Sequence, residues 1–153
     1  MTEKIAIGSD HRGFGIKETL KPLLESLEKT VEDKGTFSTD SADYPDFARE
    51  VAGAVSAREC DRGILICGSG IGMAITANKF SGVRAALCHD IHSAEMSRRH
   101  NDANILVLGE GAGEALAAEM VRVWVETAFE GGRHQKRLDL IKKIEKDNFK
   151  EMA

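Results

Sequence analysis

The fold is decided by the stretch Gly63-Ile64-Leu65-Ile66-Cys67-Gly68-Ser69-Gly70-Ile71-Gly72, in which an apolar run ends at a thiol and opens into a glycine-rich loop. The continuous apolar run of residues 64–66 is rich in β-branched side chains, which is typical of a strand buried on both faces. The alternating glycines allow a tight turn, and residues 73–79 have the composition of a helix. The stretch therefore predicts a strand, a tight loop and a helix.

Cys67 lies where such a loop would direct several backbone N–H groups toward one point, an arrangement that suits a phosphate or a developing oxyanion. Helix-terminal N–H groups also favour a thiolate, which can act as a base or a nucleophile. A buried structural cysteine is an equally ordinary interpretation, because free cysteine is among the residues most often buried and similar turns occur in many α/β proteins. From this stretch alone, both roles of Cys67 remain open.

Strand and helix patterns alternate along the rest of the chain. Further strands are predicted at residues 4–8, 30–33, 83–88 and 104–108, and further helices at 14–29, 47–58, 91–99, 114–129 and 133–149. Pro22 must kink the first helix or mark its first turn. Because parallel strands need a crossover helix to return the chain, the pattern predicts an α/β fold. We expect a Rossmann-like three-layer sandwich with a five-stranded parallel sheet and a C-terminal helix, in a single domain over residues 1–153.

Composition narrows the class of protein. The chain has 25 acidic and 21 basic residues and a net charge of −4, so nothing suggests general affinity for nucleic acid or anionic membranes. It has no basic and then apolar leader and no apolar run long enough to span a bilayer, so we expect a cytoplasmic protein. Three cysteines, Cys60, Cys67 and Cys88, favour reduced thiols over a disulfide framework.

Distinctive motifs occur along the whole chain. Besides the stretch at 63–72 they are Gly8-Ser9-Asp10-His11-Arg12-Gly13-Phe14, Asp33-Lys34-Gly35-Thr36, Asp43-Tyr44-Pro45, Ala77-Asn78-Lys79-Phe80, Ser97-Arg98-Arg99-His100-Asn101-Asp102 and Glu130-Gly131-Gly132-Arg133-His134-Gln135-Lys136-Arg137. Together they resemble the motifs of the ribose-5-phosphate isomerase type B family, whose larger family includes galactose-6-phosphate isomerase subunits. The resemblance implies reversible aldose–ketose interconversion of a small sugar phosphate, most simply ribose 5-phosphate to ribulose 5-phosphate. It implies no metal and no organic cofactor.

The resemblance also implies the catalytic residues. Cys67 matches the base that moves a proton between C1 and C2 through a cis-enediolate, and Met73 stands where another branch of the family uses a glutamate. His100 would donate a proton to the ring oxygen, and Asp10 would accept one from the anomeric hydroxyl. The enediolate would be stabilised by Ser69 and by the N–H groups of the loop, to which Gly68, Gly70, Ile71, Gly72, Met73 and Ala74 contribute.

Substrate binding is implied in the same way. Tyr44 and Asn101 would hold sugar hydroxyls, and Arg133 and Arg137, assisted by His11 and His134, would hold the phosphate. In relatives the pocket lies between two subunits, with the loop of His100 contributed by the partner. The resemblance therefore implies a homodimer or a dimer of dimers that shares its active sites.

One departure from the family pattern leaves the substrate open. Gly111 stands where relatives often place a further phosphate-contacting arginine, and Glu110 precedes it, so phosphate binding should be weakened or repositioned. A tetrose 4-phosphate, a hexose 6-phosphate and a non-catalytic phosphosugar-binding role are the alternatives. Without the resemblance, Arg133 and Arg137 would indicate a solvated helix face, His100 a helix end and Asp10 a helix cap.

Two other classes of site fit the sequence less well. A dinucleotide site requires Gly-x-Gly-x-x-Gly, whereas the glycines here are spaced as Gly68-x-Gly70-x-Gly72 and follow the third strand. Cys88, His89 and His92 do not form a recognised set of metal ligands, and the start of a helix explains them equally well.

Overall fold

The computed structural model describes residues 1–149 and places five parallel strands in one sheet. The strands are β1 (Lys4–Ser9), β2 (Thr30–Asp33), β3 (Arg62–Cys67), β4 (Ala85–Leu87) and β5 (Ile105–Gly109). Their order in the sheet is β2-β1-β3-β5-β4. The helices are α1 (Phe14–Ser26), α2 (Tyr44–Ser56), α3 (Ile71–Ala77), α4 (Ile91–Arg99), α5 (Gly113–Glu126) and α6 (Arg133–Asn148). The predicted α/β class and five-stranded parallel sheet are confirmed.

The central strand β3 divides the core into two layers. All six of its residues are buried, and successive side chains point to opposite faces. Ile64 and Ile66 pack in the layer formed with α1, α4 and α5, whereas Leu65 and Cys67 pack in the layer formed with α2 and α3. This burial on both faces fixes the carboxyl end of β3 at the centre of the sheet edge.

The boundaries of some elements differ from the predicted ones for local reasons. Pro22 lies inside α1, where its nitrogen has no hydrogen to donate to the Glu18 carbonyl, so it does not mark the first turn. That helix ends at Ser26 rather than residue 29, and Glu28 adopts a positive φ of 62°. The fourth strand is shorter than predicted because side-chain oxygens of Asn104 and Asn78 accept the N–H groups of residues 84 and 85.

Helix α6 lies across the edge of the sheet where the strands begin. Glu145 accepts hydrogen bonds from the Ser81 hydroxyl at 3.0 Å and the Gly82 N–H at 2.8 Å, which ties the helix to the loop after α3. His134 and Leu138 are its buried residues. Within residues 1–149, none of the helices combines the length and apolar character that crossing a membrane requires.

Candidate active site

The loop after β3 is built around Cys67 and Gly70. The Gly70 N–H donates to Cys67 Sγ at 3.2 Å, and the Ile71 N–H donates to Ser69 Oγ at the same distance. Gly70 has a φ of +81°, and a Cβ added to it would lie 2.5 Å from Leu87 Cδ1 and 3.2 Å from the Leu108 carbonyl oxygen. Only glycine fits this conformation and space. Gly70 therefore allows the tight turn that brings its own N–H to the Cys67 sulfur at the start of α3.

Some amides of this loop remain available to a ligand. The Ala74 N–H donates to the Gly70 carbonyl at 3.0 Å, and the amides of Gly70 and Ile71 are used as described above. Within residues 1–149, the Gly72 and Met73 N–H groups have no acceptor. The Met73 side chain is fully buried, so this residue can face a ligand only through its backbone.

Asp10 braces the neighbouring loop after β1. Its Oδ1 accepts the N–H groups of Arg12 at 3.0 Å and Gly13 at 3.1 Å, and its own N–H donates to the Ile66 carbonyl. Gly13, rather than Asp10, occupies the N-cap position of α1. Oδ2 has no partner among the described residues, so one oxygen of a buried carboxylate is left to accept a proton.

Tyr44 and His11 complete the group at this edge. A Cβ on Gly72 would lie 2.8 Å from Tyr44 Oη, so the phenol lies directly over the glycine loop. His11 Nδ1 lies 3.1 Å from the Ala42 nitrogen and 3.3 Å from the Ala42 carbonyl oxygen, which fixes the ring against the loop before α2. We call Asp10, His11, Tyr44, Cys67 and Ser69 the carboxyl-edge cluster, because all of them lie where the parallel strands end.

The other predicted site residues lie at the opposite edge of the sheet. Helix α4 begins after β4 and returns the chain to the start of β5, so His100 follows it at the edge where the strands begin. The rings of His100 and His134 are stacked at 4.2 Å between centroids and 15° between planes. We call this group the amino-edge cluster, and it consists of His100, Asn101, Arg133, His134 and Arg137.

Charge in the amino-edge cluster is mainly positive. Arg133 and Arg137 are exposed, and neither pairs with a carboxylate within residues 1–149. Glu130 Oε1 lies 3.5 Å from His134 Nε2 and 3.8 Å from His100 Nε2. Burial, the adjacent His100 and the charge of Arg133 lower the pKa of His134 below its ordinary value. The two free guanidinium groups, one turn apart, suit an anionic ligand.

The two clusters are separated by the length of the sheet. Six residues of β3 span roughly 17 Å at the usual strand rise, and Cys67 and His100 lie beyond opposite ends of the strands. A groove of about 570 Å³ lies beneath α6, but its lining contains none of the four predicted catalytic residues. One chain therefore does not bring Cys67 and Asp10 together with His100.

The other two thiols are in environments that suppress reactivity. Cys60 Sγ donates to Glu32 Oε2 at 2.6 Å, and burial together with this carboxylate raises the pKa of Cys60 to about 12. Burial also raises the pKa of Cys88. All three cysteines are free. Cys67 differs from the other two because its sulfur accepts a backbone N–H, that of Gly70.

Potential metal ligands occur together in one place among the described residues. The ligand atoms of His100, Glu130 and His134 lie within 4.8 Å of one another. The near-parallel imidazoles would have to rotate before both nitrogens could face one ion at about 2.0–2.1 Å. Asp90 instead caps α4 through a reciprocal pair of bonds with Ser93, which accounts for the start of the helix near His89 and His92.

Three charged residues near these clusters make contacts that the sequence did not predict. Arg12 and Glu110 form an ion pair beside the glycine loop, 98 positions apart in the chain. Glu130 lies within ion-pair distance of both histidines, which are charged only if protonated, and its N–H donates to the Arg99 carbonyl. Glu130 precedes α6, so its spacing to His134 is not a helical signal, and only the folded chain reveals this contact and the pairing of Arg12 with Glu110.

Comparison with known proteins places this arrangement in a family. A family model described as Ribose/Galactose Isomerase matches residues 5–141. Ribose-5-phosphate isomerase B of Escherichia coli is 47% identical over 144 residues, which cover 94% of this chain and 97% of the relative. D-erythrulose-4-phosphate isomerase of Pectobacterium atrosepticum is 40% identical, covering 90% of this chain and 91% of the relative.

A solved structure agrees with the sequence relatives. The structure of Clostridium thermocellum ribose-5-phosphate isomerase B is 50% identical, with a TM-score of 0.91. The match covers 94% of this chain and 98% of that one. The family model, the sequence relatives and the backbone all extend over nearly the whole chain, so the protein belongs to the ribose/galactose isomerase family.

Proposed function

We propose that the protein is an aldose–ketose isomerase that converts ribose 5-phosphate to ribulose 5-phosphate, with Cys67 as the base. The observation that carries this proposal is the position of Cys67 Sγ at the end of β3, 3.2 Å from the Gly70 nitrogen. The N–H groups of Gly72 and Met73 in the same loop have no acceptor among the described residues. The names of the relatives support the substrate class. We treat residues 1–153 as one isomerase domain.

Isomerisation requires only a proton transfer within the open-chain sugar. The Cys67 thiolate removes the proton from C2, and the electron pair of that C–H bond forms the C1–C2 double bond while the C1 carbonyl oxygen becomes an enediolate oxygen. The Gly72 and Met73 N–H groups and the Ser69 hydroxyl would stabilise that negative charge. The proton then returns from sulfur to C1 while the proton on O2 passes to O1, which gives the ketose and restores the thiolate.

Ring opening must come before this step, because phosphopentoses are mainly cyclic. We assign Asp10 as the acceptor of the proton from the anomeric hydroxyl, which its free Oδ2 supports. His100 then donates a proton to the ring oxygen as the C1–O bond breaks. Tyr44 and Asn101 would hold sugar hydroxyls, and His11, His134, Arg133 and Arg137 would contact the phosphate.

The assembly we propose is a homodimer, alone or as half of a dimer of dimers, in which the carboxyl-edge cluster of one chain faces the amino-edge cluster of the other. Support comes from the separation of the clusters, since Cys67 and Asp10 cannot reach a sugar held by His100 of the same chain. Two-fold symmetry would create two identical sites from two chains. Three reduced cysteines support a cytoplasmic location.

A second substrate has a specific observation in its favour. One relative is named D-erythrulose-4-phosphate isomerase and is 40% identical. Turnover should therefore be measured on a panel of four-, five- and six-carbon aldose phosphates and ketose phosphates. We expect the highest kcat/KM with ribose 5-phosphate. A higher kcat/KM with a tetrose or hexose phosphate would show that ribose 5-phosphate is not the preferred substrate. Binding of sugar phosphates without any turnover would contradict the isomerase proposal.

A further inference from the structure

We propose that Arg12 is a phosphate-contacting residue of the active site and thereby determines its preference for phosphorylated sugars. This inference rests on the proposed function, because the phosphate is that of the substrate. Arg12 follows two predicted site residues, Asp10 and His11, and begins the turn into α1. Its side chain is 56% exposed, so a ligand can reach it.

The position of the Arg12 side chain is fixed from two sides. Its backbone N–H donates to Asp10 Oδ1 at 3.0 Å, which anchors the residue to the loop after β1. Its guanidinium crosses to the loop after β5, where Nε donates to Glu110 Oε1 at 2.9 Å and Nη2 donates to the same oxygen. The charge is therefore held between two loops of the carboxyl edge.

The remaining nitrogen of the guanidinium faces the glycine loop. A Cβ added to Gly68 would come within 2.7 Å of Arg12 Cζ, so the guanidinium lies against the residue that follows Cys67. Within residues 1–149, Nη1 donates to no acceptor, although Nε and Nη2 both do. Two N–H groups thus remain to bind an anion at the entrance to the loop.

A cation beside the glycine loop would offset the negative charge of this edge. Asp10 and Glu110 are both carboxylates, and they would repel a phosphate dianion that approaches them. Arg12 is the guanidinium that the chain itself places beside the glycine loop, where it can form charge-assisted hydrogen bonds with phosphate. It would act together with His11 and with the arginines that the amino-edge cluster of a second chain would bring in the proposed dimer.

Arg12 lies where it can replace the arginine that relatives often have at position 111. Gly111 is exposed, and a Cβ there would meet no atom within 4 Å, so the space beside Glu110 is open. Glu110 holds the Arg12 guanidinium next to this space. A cation is therefore supplied from the loop after β1 instead of from the loop after β5.

The decisive experiment measures binding of ribitol 5-phosphate by titration calorimetry. This alditol has no carbonyl group and cannot be isomerised. Removing Arg12 alone would expose the charge of Glu110, so the comparison is made between Glu110→Gln and the double variant Arg12→Ala/Glu110→Gln. We expect the double variant to bind roughly 10-fold more weakly than Glu110→Gln, the range of a lost charge-assisted hydrogen bond. Equal dissociation constants would overturn the proposal.

Arg49→Ala is the matched control for general electrostatics. Arg49 is an exposed arginine of α2 that donates no side-chain hydrogen bond within residues 1–149. We expect its removal to leave the dissociation constant unchanged, and a loss equal to that of Arg12 would show that only net charge matters. In turnover assays Arg12→Ala/Glu110→Gln should raise KM about 10-fold relative to Glu110→Gln and change kcat less than about twofold.

The result is separable from the test of the proposed function. Binding of ribitol 5-phosphate needs no turnover, so the Arg12 comparison remains interpretable even if the protein isomerises no sugar phosphate. Conversely, wild-type turnover of ribose 5-phosphate with unchanged binding in the Arg12 variants would support the isomerase and reject the role of Arg12.

Discussion

Three buried cysteines differ in what surrounds each sulfur. Cys60 is hydrogen-bonded to a carboxylate that opposes ionisation, and Cys88 is held in an apolar layer, whereas Cys67 receives a backbone N–H. Burial alone therefore does not distinguish a structural thiol from a reactive one. The hydrogen-bond partner of each sulfur is a further difference, and it is visible only in the folded chain.

The Cys67→Ala variant should lose proton transfer and keep sugar-phosphate binding. The proposed base is removed, but the free amides of Gly72 and Met73 remain. Exchange of the C2 proton of the substrate with solvent, followed by NMR, measures the step directly. We expect exchange to become undetectable, with a binding affinity within about threefold of wild type. Cys88→Ala is the matched control and should exchange at the wild-type rate. Exchange in Cys67→Ala at that same rate would reject Cys67 as the base.

His134 should make the folded state sensitive to acid. Burial, His100 and Arg133 lower its pKa, so the unfolded chain binds the proton more readily than the folded chain. Its contribution to stability is therefore complete above the unfolded value of 6.5 and is lost as the pH falls through the lower folded value. Urea unfolding between pH 7 and pH 5 should show a smaller loss of stability for His134→Gln than for wild type. His92→Gln, at an exposed histidine, is the control and should follow wild type. An equal change in the free energy of unfolding with pH for His134→Gln and wild type would contradict this linkage.

At the scale of elements, the loop from β3 to α3 depends on Gly70. Gly70→Ala would combine a positive φ with a Cβ 2.5 Å from Leu87 Cδ1. Gly82 has a similar φ of +78°, but a Cβ there would meet no atom within 4 Å. Gly82→Ala should therefore cost only the backbone strain of about 1–2 kcal/mol. Gly70→Ala should cost about 2 kcal/mol more and reduce kcat, as measured by urea unfolding and turnover. Equal losses of stability would show that the contact with Leu87 relaxes without cost.

The elements and their order are predictable from sequence, because strand and helix patterns are local. The apolar run at residues 64–66 identifies the central strand, and the alternation of strands with helices implies a parallel sheet. Contacts between distant segments are not predictable in this way. Asn104 shortens β4 by accepting a backbone N–H from residue 84, and Glu110 binds an arginine 98 positions earlier. Residue types do not reveal these pairings before the sheet brings the loops together.

Across the whole molecule, the proposed site residues are distributed between two edges of one sheet. The sequence identified these residues through family motifs, but their distribution follows from chain direction. Residues just after a strand lie at one edge, and His100, which follows a helix, lies at the other. A dimer with shared sites therefore predicts that two different inactive variants can restore activity together.

Cys67→Ala and His100→Asn should complement each other when their subunits exchange. In a hybrid dimer one site combines both substitutions, while the other combines an intact Cys67 with an intact His100. Random mixing makes about half of the dimers hybrid, so about a quarter of wild-type activity should return. Exchange is verified by mass spectrometry of the intact dimer. Absence of activity in confirmed hybrids would place Cys67 and His100 in the same subunit's site.

The roughly 17 Å of sheet between the two clusters has a further consequence for the kinetics of the proposed dimer. A lone chain carries the proposed base and the proposed proton donor too far apart for one sugar to contact both. Activity should therefore depend on the fraction of chains that are dimeric, and so on the protein concentration. Below the dissociation constant of the dimer, the rate should rise with the square of the total protein concentration, and above it in direct proportion. Dilution alone should then abolish turnover, although no side chain has been changed.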